Sequence, residues 1–226
     1  MKMEVINLIE HNDGNVGRAD IPITPQEVFI NDVYSSMDVA TADGLDLLQS
    51  EDGIVPTCKA GCDHCCRYHI VTNSAEVHTL VQFLKRELSA EQMSDLHLRT
   101  QRWHEWDSSR RGRSQTSEDG SQGELDHYDH SCPLLVSGQC SVYAVRPAIC
   151  RSHYVTSDAV LCRSANDPDS TEDVPQVVAA LMEVASPFTI AIKEHIESEG
   201  VEFSDSATLL PQGLAIEMGW DFSVTP

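Results

Sequence analysis

The sequence has no long apolar run and no segment typical of a secretory signal. A helix that crosses a bilayer needs about 18 or more consecutive apolar residues, and no stretch of this chain approaches that length. The amino-terminal stretch MKMEVINLIEHNDGNVGRAD has one lysine and a short apolar patch that polar residues interrupt, so it lacks the basic and apolar regions of a signal peptide. These absences predict a cytoplasmic protein that does not contact a membrane.

Basic residues are also scarce. The chain has 15 lysine and arginine residues against 36 aspartate and glutamate residues, which gives a formal net charge of −21. A surface this acidic repels the phosphates of nucleic acids and of anionic lipids. The charge therefore predicts no nucleic-acid partner, and it leaves open whether there is a protein partner or substrate.

The eight cysteines are not needed to stabilise a small core. At 226 residues, of which 41% are hydrophobic, the chain is long enough to bury a core without disulfides. In a reducing cytosol, clustered cysteines indicate metal ligands or redox groups before they indicate disulfides. The cysteines are therefore the first place to look for function.

The cysteines fall into two groups. The first lies in the stretch CKAGCDHCC and the second begins more than sixty residues later. The candidate metal ligands are Cys58, Cys62, Cys65 and Cys66 in the first group, and Cys132, Cys140, Cys150 and Cys162 in the second. Thiolate sulfur binds zinc and iron well and also holds iron-sulfur clusters. Eight thiolates could fill two four-sulfur sites, one site with spare thiols, or a multinuclear cluster, and the spacing leaves this open.

Cys65 and Cys66 are neighbours, which constrains the geometry of the first group. In an extended backbone successive side chains point to opposite faces. In a helix all four cysteines of the group would share one face, which cannot easily surround a tetrahedral ion. Either geometry predicts that the first group needs the second to complete its coordination. Among the nearby histidines, His64, His69 and His153, we expect His153 to be the best reserve ligand because it follows Cys150 by three residues.

Capping signals predict helices on both sides of the first cysteine group. In TPQE, Thr24 is a predicted N-cap with Glu27 closing a capping box, and the following helix is either continuous or interrupted at Asp43-Gly44. RYHIVT is a predicted strand, and Asn73 or Ser74 is expected to cap the next helix. Ser89 with Gln92 predicts a second capping box.

The second half of the sequence predicts loops, a hairpin and further helices. Residues 108–123 are rich in polar residues and glycine and are predicted to form a mobile loop, and Ser137-Gly138-Gln139 is a predicted hairpin connection. A helix is predicted from about 174 to 196, with a kink at Pro187. A last short helix is predicted near 206 to 218.

These patterns predict a mainly α fold, with helices around a cysteine-rich metal site and short strands or irregular loops near that site. We expect three parts of one domain. Residues 1–57 form an amino-terminal segment with a helix, 58–162 form the cysteine-cluster metal-binding core including the loop 108–123, and 163–226 form a carboxy-terminal helical segment.

The two cysteine motifs together resemble a known family. CKAGCDHCC, followed by CPLLVSGQCSVYAVRPAICRSH and then Cys162, is similar to the YkgJ-type zinc- or iron-chelating cysteine-cluster family, whose hallmarks are a CxxCxxCC-like cluster and a CPFL…CxxYxxRPxxCR segment. The resemblance covers residues 58–162. Two positions depart from the pattern. Three residues rather than two separate Cys58 from Cys62, which makes Cys58 the least secure ligand, and Leu134 replaces a common phenylalanine.

The resemblance implies a metal-binding protein of undefined reaction, with zinc or iron as the metal and an iron-sulfur cluster as a further option. A similar motif occurs in flagellin lysine N-methylases, so the alternative is an iron- or iron-sulfur-dependent enzyme, either an oxidoreductase or a methylase-like protein-modifying enzyme. The chain has no glycine-rich strand-turn-helix signature for a methyl donor. Arg146, Pro147 and Arg151 match the family segment. We interpret them as residues that fix a turn and pair with acidic groups or thiolates, and the alternative is that they bind a substrate.

Overall fold

The computed structural model describes residues 21–59, 61–110, 131–164 and 173–222. Helices dominate these residues, and the strands among them are two or three residues long. In chain order the elements are α1 (Pro25–Asp52), β1 (Val71–Asn73), α2 (Ser74–Glu87), α3 (Ala90–Arg110), β2 (Leu135–Val136), β3 (Gln139–Cys140), α4 (Ala148–Ser152), α5 (Ala159–Ser164), α6 (Ala179–Ser198), α7 (Phe203–Ser206), β4 (Ala207–Leu209) and α8 (Leu210–Met218). The prediction of a mainly helical fold with short strands is confirmed.

The capping signals that the sequence contains are confirmed. The Thr24 side chain accepts a hydrogen bond from the Glu27 amide at the start of α1, and the Glu27 carboxylate accepts one from the Thr24 amide in return. At the start of α3, Ser89 and Gln92 form the same reciprocal pair. Asn73 caps α2, and its side-chain oxygen accepts from the Glu76 amide at 3.0 Å.

The sequence left open whether the first helix is continuous or interrupted at Asp43-Gly44. In the structure α1 is continuous across these two residues. A Cβ on Gly44 would lie 3.2 Å from Leu181 Cδ2 of α6, so glycine lets the two helices approach closely here. The helix ends at Gly53, which has a left-handed φ of 67° that glycine adopts without strain.

The sequence did not reveal strand β4. Residues 207–209 were predicted to begin the last helix, but they pair antiparallel with β1, and Val71 lies opposite Leu209. Only after this pairing does α8 begin at Leu210, whose amide donates to Ile70 O at 2.8 Å. The strand pair thus connects the segment after the first cysteine group to the carboxy-terminal part of the chain.

The other boundaries differ from the predictions in two places. Helix α3 runs to Arg110, so the first residues of the predicted loop 108–123 are helical, and 111–123 lie outside the described residues. Helix α6 begins at Ala179 rather than near 174, because the preceding residues are extended and Val177 pairs with Val155. Pro187 lies inside α6 as expected.

The predicted hairpin in the second cysteine segment is confirmed. Strands β2 and β3 pair antiparallel, with Leu135 opposite Cys140. The two residues between the strands, Ser137 and Gly138, have φ values of 51° and 75°. Two successive left-handed residues match the twist of the flanking strands, as in a type I′ turn.

Two apolar clusters form the core. In the first cluster α2 and α8 pack with residues of the second cysteine segment, and its members include Val77, Leu80, Leu84, Leu134, Val142, Val145, Leu210 and Leu214. In the second cluster α1 packs with α6 and with Ala148 of α4, and its members include Ile30, Tyr34, Met37, Ala185 and Ile192. Both clusters therefore support segments that carry cysteines. No helix within the described ranges is long and apolar enough to cross a membrane.

We expect Gly213→Ala to destabilise the fold by about 1–3 kcal/mol, because overpacking a filled interior has costs of that order. A Cβ on Gly213 would lie 2.6 Å from Thr208 Cγ2 and 2.8 Å from Val77 Cγ2. Gly44→Ala is the matched control, since its Cβ would meet only side-chain atoms at 3.2 Å and beyond. Urea unfolding of both variants measures the difference. Equal stability of the two would contradict the close approach of α8 to α2.

Candidate metal centre

The first cysteine group lies in an irregular segment that ends in a short 3-10 turn. The amide of Cys62 donates to Lys59 O at 3.0 Å, and Gly61 between them has a φ of 86°. The 3-10 turn spans His64–Arg67 and contains Cys65 and Cys66. The pair is therefore in neither of the two geometries considered from the sequence. A turn this tight places the two neighbouring thiols in hydrogen-bonding contact with each other.

Short elements hold the cysteines of the second group. Cys132 precedes the hairpin, and its carbonyl accepts from the Leu135 amide at 2.9 Å. Cys140 is in β3, Cys150 in α4 and Cys162 in α5. Each of these elements is between two and six residues long, so tertiary contacts rather than local propensity fix the thiol positions.

Backbone hydrogen bonds join the two cysteine segments. The amide of Cys132 donates to Cys66 O at 2.7 Å, across a separation of more than sixty residues. On the other side, the amide of Thr57 donates to Val155 O at 2.9 Å, next to Cys58. The Tyr68 hydroxyl donates to Cys162 O at 3.1 Å. These hydrogen bonds therefore hold the two cysteine segments against each other, as expected.

Backbone amides also donate to thiols. The Leu134 amide bonds the thiol of Cys132, and the Val142 amide bonds that of Cys140. The Val155 amide donates to Cys58 Sγ at 3.4 Å. A hydrogen bond to sulfur favours the thiolate over the thiol, and thiolate is the form that binds metal.

The electrostatic contacts divide the thiols into two sets that share Cys65. The inner thiol group comprises Cys66, Cys132, Cys140 and Cys150, and the outer thiol group comprises Cys58, Cys62 and Cys162. Cys132 and Cys140 raise the pKa of Cys66, and Cys58 and Cys62 raise the pKa of Cys162, because a second thiolate nearby disfavours ionisation. Cys65 acts on members of both groups.

Cys65 and Cys66 have opposite pKa shifts because they share a hydrogen bond. That bond is the main reason that the pKa of Cys65 falls to about 7. The same bond, followed by burial, raises the pKa of Cys66 well above its usual range. The S–H of Cys66 thus donates to the sulfur of Cys65, which favours the thiolate of Cys65.

Burial raises the pKa of several further thiols. It raises the pKa of Cys132 to about 12 and that of Cys162 to about 11. It also raises the pKa of Cys140 and Cys150. No disulfide joins any of the eight cysteines, and the thiols whose pKa is raised are neutral at pH 7 unless a cation compensates the thiolate charge.

Three arginines supply positive charge near the inner thiol group. Arg146 acts on Cys65, Cys140 and Cys150. Arg151 also acts on Cys140, and Arg99 of α3 acts on Cys132. The sequence analysis identified Arg146 and Arg151 from their motif. It missed Arg99, which lies in an ordinary helical pattern with no local signal of a role.

His153 lies against Tyr68, whose hydroxyl donates to Cys162 O. Its Nε2 is buried and has no hydrogen-bond partner in the described part of the chain, and burial lowers the pKa of this imidazole. Its ring lies edge-on to Tyr68, with ring centroids 5.8 Å apart. His69 instead lies near Trp106, at 6.3 Å, and His64 begins the 3-10 turn.

One family comparison matches this region of the chain. The family described as "CxxCxxCC: Putative zinc- or iron-chelating domain" matches residues 57–173, just over half of the chain. The chain belongs to the CxxCxxCC family. The resemblance that the two motifs carry is thus confirmed. No curated protein and no solved structure matches the chain.

The donor chemistry of the CxxCxxCC domain fits zinc or iron. Eight thiols lie in segments that backbone bonds hold together, amides donate to several of the sulfurs, and His153 has an unpartnered buried nitrogen. Across residues 21–59, 61–110, 131–164 and 173–222, however, no three His, Cys, Asp or Glu side chains are arranged to hold a metal ion. Coordination within the CxxCxxCC domain therefore requires thiol side chains to rotate toward a common point.

Proposed function

We propose that the protein chelates zinc or iron through all eight cysteines, in two adjacent sites that meet at Cys65. The observation that carries this proposal is the hydrogen bond from the Cys132 amide to Cys66 O at 2.7 Å. It fixes the second cysteine segment against the turn that holds Cys65, whose charge acts on thiols of both groups. Zinc- or iron-chelating chemistry is also what the family match supports.

The division of the thiols supports two sites rather than one. The inner thiol group offers four sulfurs, which is the number that a tetrahedral structural zinc site uses. The outer thiol group offers three, and Cys65 would supply the fourth. This division also gives the neighbouring pair different partners, since Cys66 belongs to the inner site and Cys65 links the two. His153 remains the reserve ligand of the outer site.

Burial and charge support metal rather than free thiolates. Removing several thiolates from water without compensation is unfavourable, and a bound dication together with nearby arginines offsets their charge. A bound metal also replaces thiol protons. The buried, neutral thiols described above would therefore ionise when the metal binds.

We expect about two metal ions per chain in protein purified without oxygen, since four thiolates complete each structural site. Cys150→Ser should lose the inner metal, and Cys162→Ser and Cys65→Ser should each lose the outer one, because a hydroxyl is a poor ligand for these metals. Elemental analysis of the variants measures this. The first two variants control for each other. The two-site proposal is wrong if Cys150→Ser and Cys162→Ser lose the same metal, or if Cys65→Ser retains full content.

An absorption spectrum of the same samples distinguishes the metals. Zinc has no accessible second redox state and gives a colourless protein. Iron in thiolate or iron-sulfur form gives visible absorption that bleaches on reduction, and that result would open the alternative of an iron-dependent enzyme. Thiolate ligands for a metal fit a reducing cytoplasm better than an oxidising compartment, and the net charge of −21 argues against nucleic-acid binding.

A further inference from the structure

The two arginines of the RPAICR segment have different surroundings. Arg151 is 3% exposed, and all of its guanidinium nitrogens have partners. Its Nη1 donates to Asp38 Oδ2 at 2.6 Å and its Nε to Arg146 O at 2.9 Å, while Nη2 donates to Ala144 O. The guanidinium also stacks on Tyr34, 4.1 Å from the ring centroid. Arg151 therefore ties the cysteine segment to α1.

Arg146 is placed differently. Its guanidinium carbon lies 3.7 Å from the centroid of the Tyr143 ring, which holds the planar group in one orientation. Its Nε is buried and has no acceptor among the residues that the structure describes. A buried, unpartnered donor on a charged group is unfavourable, so a negatively charged acceptor at this place would be stabilised.

The guanidinium of Arg146 is hydrogen-bonded to Tyr143 and lies within electrostatic range of Tyr154 and Asp38, and thiols are also within range of its charge. Arg146 acts on Cys65, Cys140 and Cys150, which come from three separate segments. Arg146 precedes Cys150 by four residues, and Pro147 and the start of α4 separate them. Arg146 thus lies within electrostatic range of the inner thiol group, whereas Arg151, the second arginine of the motif, contacts Asp38 of α1.

We propose that Arg146 is the positioning residue of the inner metal site, where its Nε–H donates to a metal-bound thiolate and its charge offsets the negative charge of the four-sulfur complex. This inference rests on the function proposed above. Residues that hydrogen-bond to metal ligands commonly change metal affinity by about 10- to 100-fold. Arg151, in contrast, donates to Asp38 and to two backbone carbonyls and contributes to the fold.

Cobalt(II) is a suitable probe, because its absorption bands report the sulfur ligands and the tetrahedral geometry around the ion. In an anaerobic titration of the full chain, we expect Arg146→Gln to bind the inner Co²⁺ about 10- to 100-fold more weakly and to shift its bands, while the outer Co²⁺ is unchanged. Arg146→Lys restores the charge but not the planar donor, so it should recover part of the affinity and keep the altered bands.

Arg151→Gln is the matched control. It should lower the melting temperature of apo and Co²⁺-loaded protein by similar amounts, and it should shift the bands less than the Arg146 variants do, although its charge also acts on Cys140. Circular dichroism shows whether each variant is folded, and Arg146→Lys provides the test if Arg146→Gln is not. Unchanged Co²⁺ affinity and bands in both Arg146 variants, or the same shift in Arg151→Gln, would overturn the role of Arg146 alone. Failure of the unsubstituted chain to bind Co²⁺ would overturn the proposed function and this inference together.

Discussion

Glu76→Gln is expected to lower the free energy of unfolding by about 3 kcal/mol, the range for removing one partner from a buried charged network. Glu76 is 4% exposed, and its carboxylate accepts four hydrogen bonds. The donors are Tyr34 Oη at 3.0 Å, Thr72 Oγ1 at 2.9 Å, Asn73 Nδ2 at 2.7 Å and the Ala148 amide at 2.7 Å. A glutamine amide would direct its NH₂ group at two of these donors, which leaves them unsatisfied.

The same substitution should also affect the metal centre. Ala148 is the first residue of α4, which carries Cys150, so Glu76 fixes the start of that short helix. We therefore expect Glu76→Gln also to lower metal content at the inner site. Glu91→Gln is the control, because Glu91 occupies the first turn of α3 but is exposed. Urea unfolding with metal analysis gives both readouts, and equal stability of the two variants would show that the Glu76 network is not structural.

Anaerobic removal of the metal is expected to destabilise the protein by about 5–10 kcal/mol, since binding to a structural site contributes directly to folding. The effect should be local. Residues 57–68 and 131–164 contain few regular elements and many thiols, whereas α1 and α6 pack in a separate apolar cluster. Amide hydrogen exchange should lose protection in the two cysteine segments and keep it in α1.

A variant with both Cys65→Ser and Cys150→Ser controls for direct effects of the chelator, since the proposed sites are disabled in it before chelation. Chelator should change its exchange pattern little. A melting temperature and exchange pattern in the unsubstituted chain that do not respond to metal removal would show that the metal has no structural role.

The sequence predicted those features of the fold that are set by nearby residues. The capping boxes at Thr24 and Ser89 and the turn at Ser137-Gly138 depend on side chains within a few positions of each other, and the structure contains all three. Strand β4 could not be recognised in this way, because its three residues have a partner only in β1, at Val71–Asn73. The polar end of α3 was mistaken for a loop because composition alone does not end a helix.

The candidate site shows the same difference between features set by nearby residues and features set by distant ones. Dense spacing made the first cysteine group a candidate site, and the resemblance to the family motif added the second group together with Arg146 and Arg151. The grouping of the thiols around Cys65 depends on the path of the backbone, in particular the 3-10 turn and the bond between Cys132 and Cys66. Amide donors such as Val155 N–H have no side-chain signal, so no sequence motif reveals them.

The pairing of β1 with β4 has a consequence for how the chain can be divided. The family match ends at residue 173, but Leu80 and Leu84 within it pack in one cluster with Leu210 and Leu214 beyond it. A fragment cut at the family boundaries would leave the backbone of Val71–Asn73 as an open strand edge beside an uncovered apolar helix face. Such surfaces promote self-association. Insolubility of that fragment would therefore reflect where it was cut rather than a failure of the cysteines to find their metal.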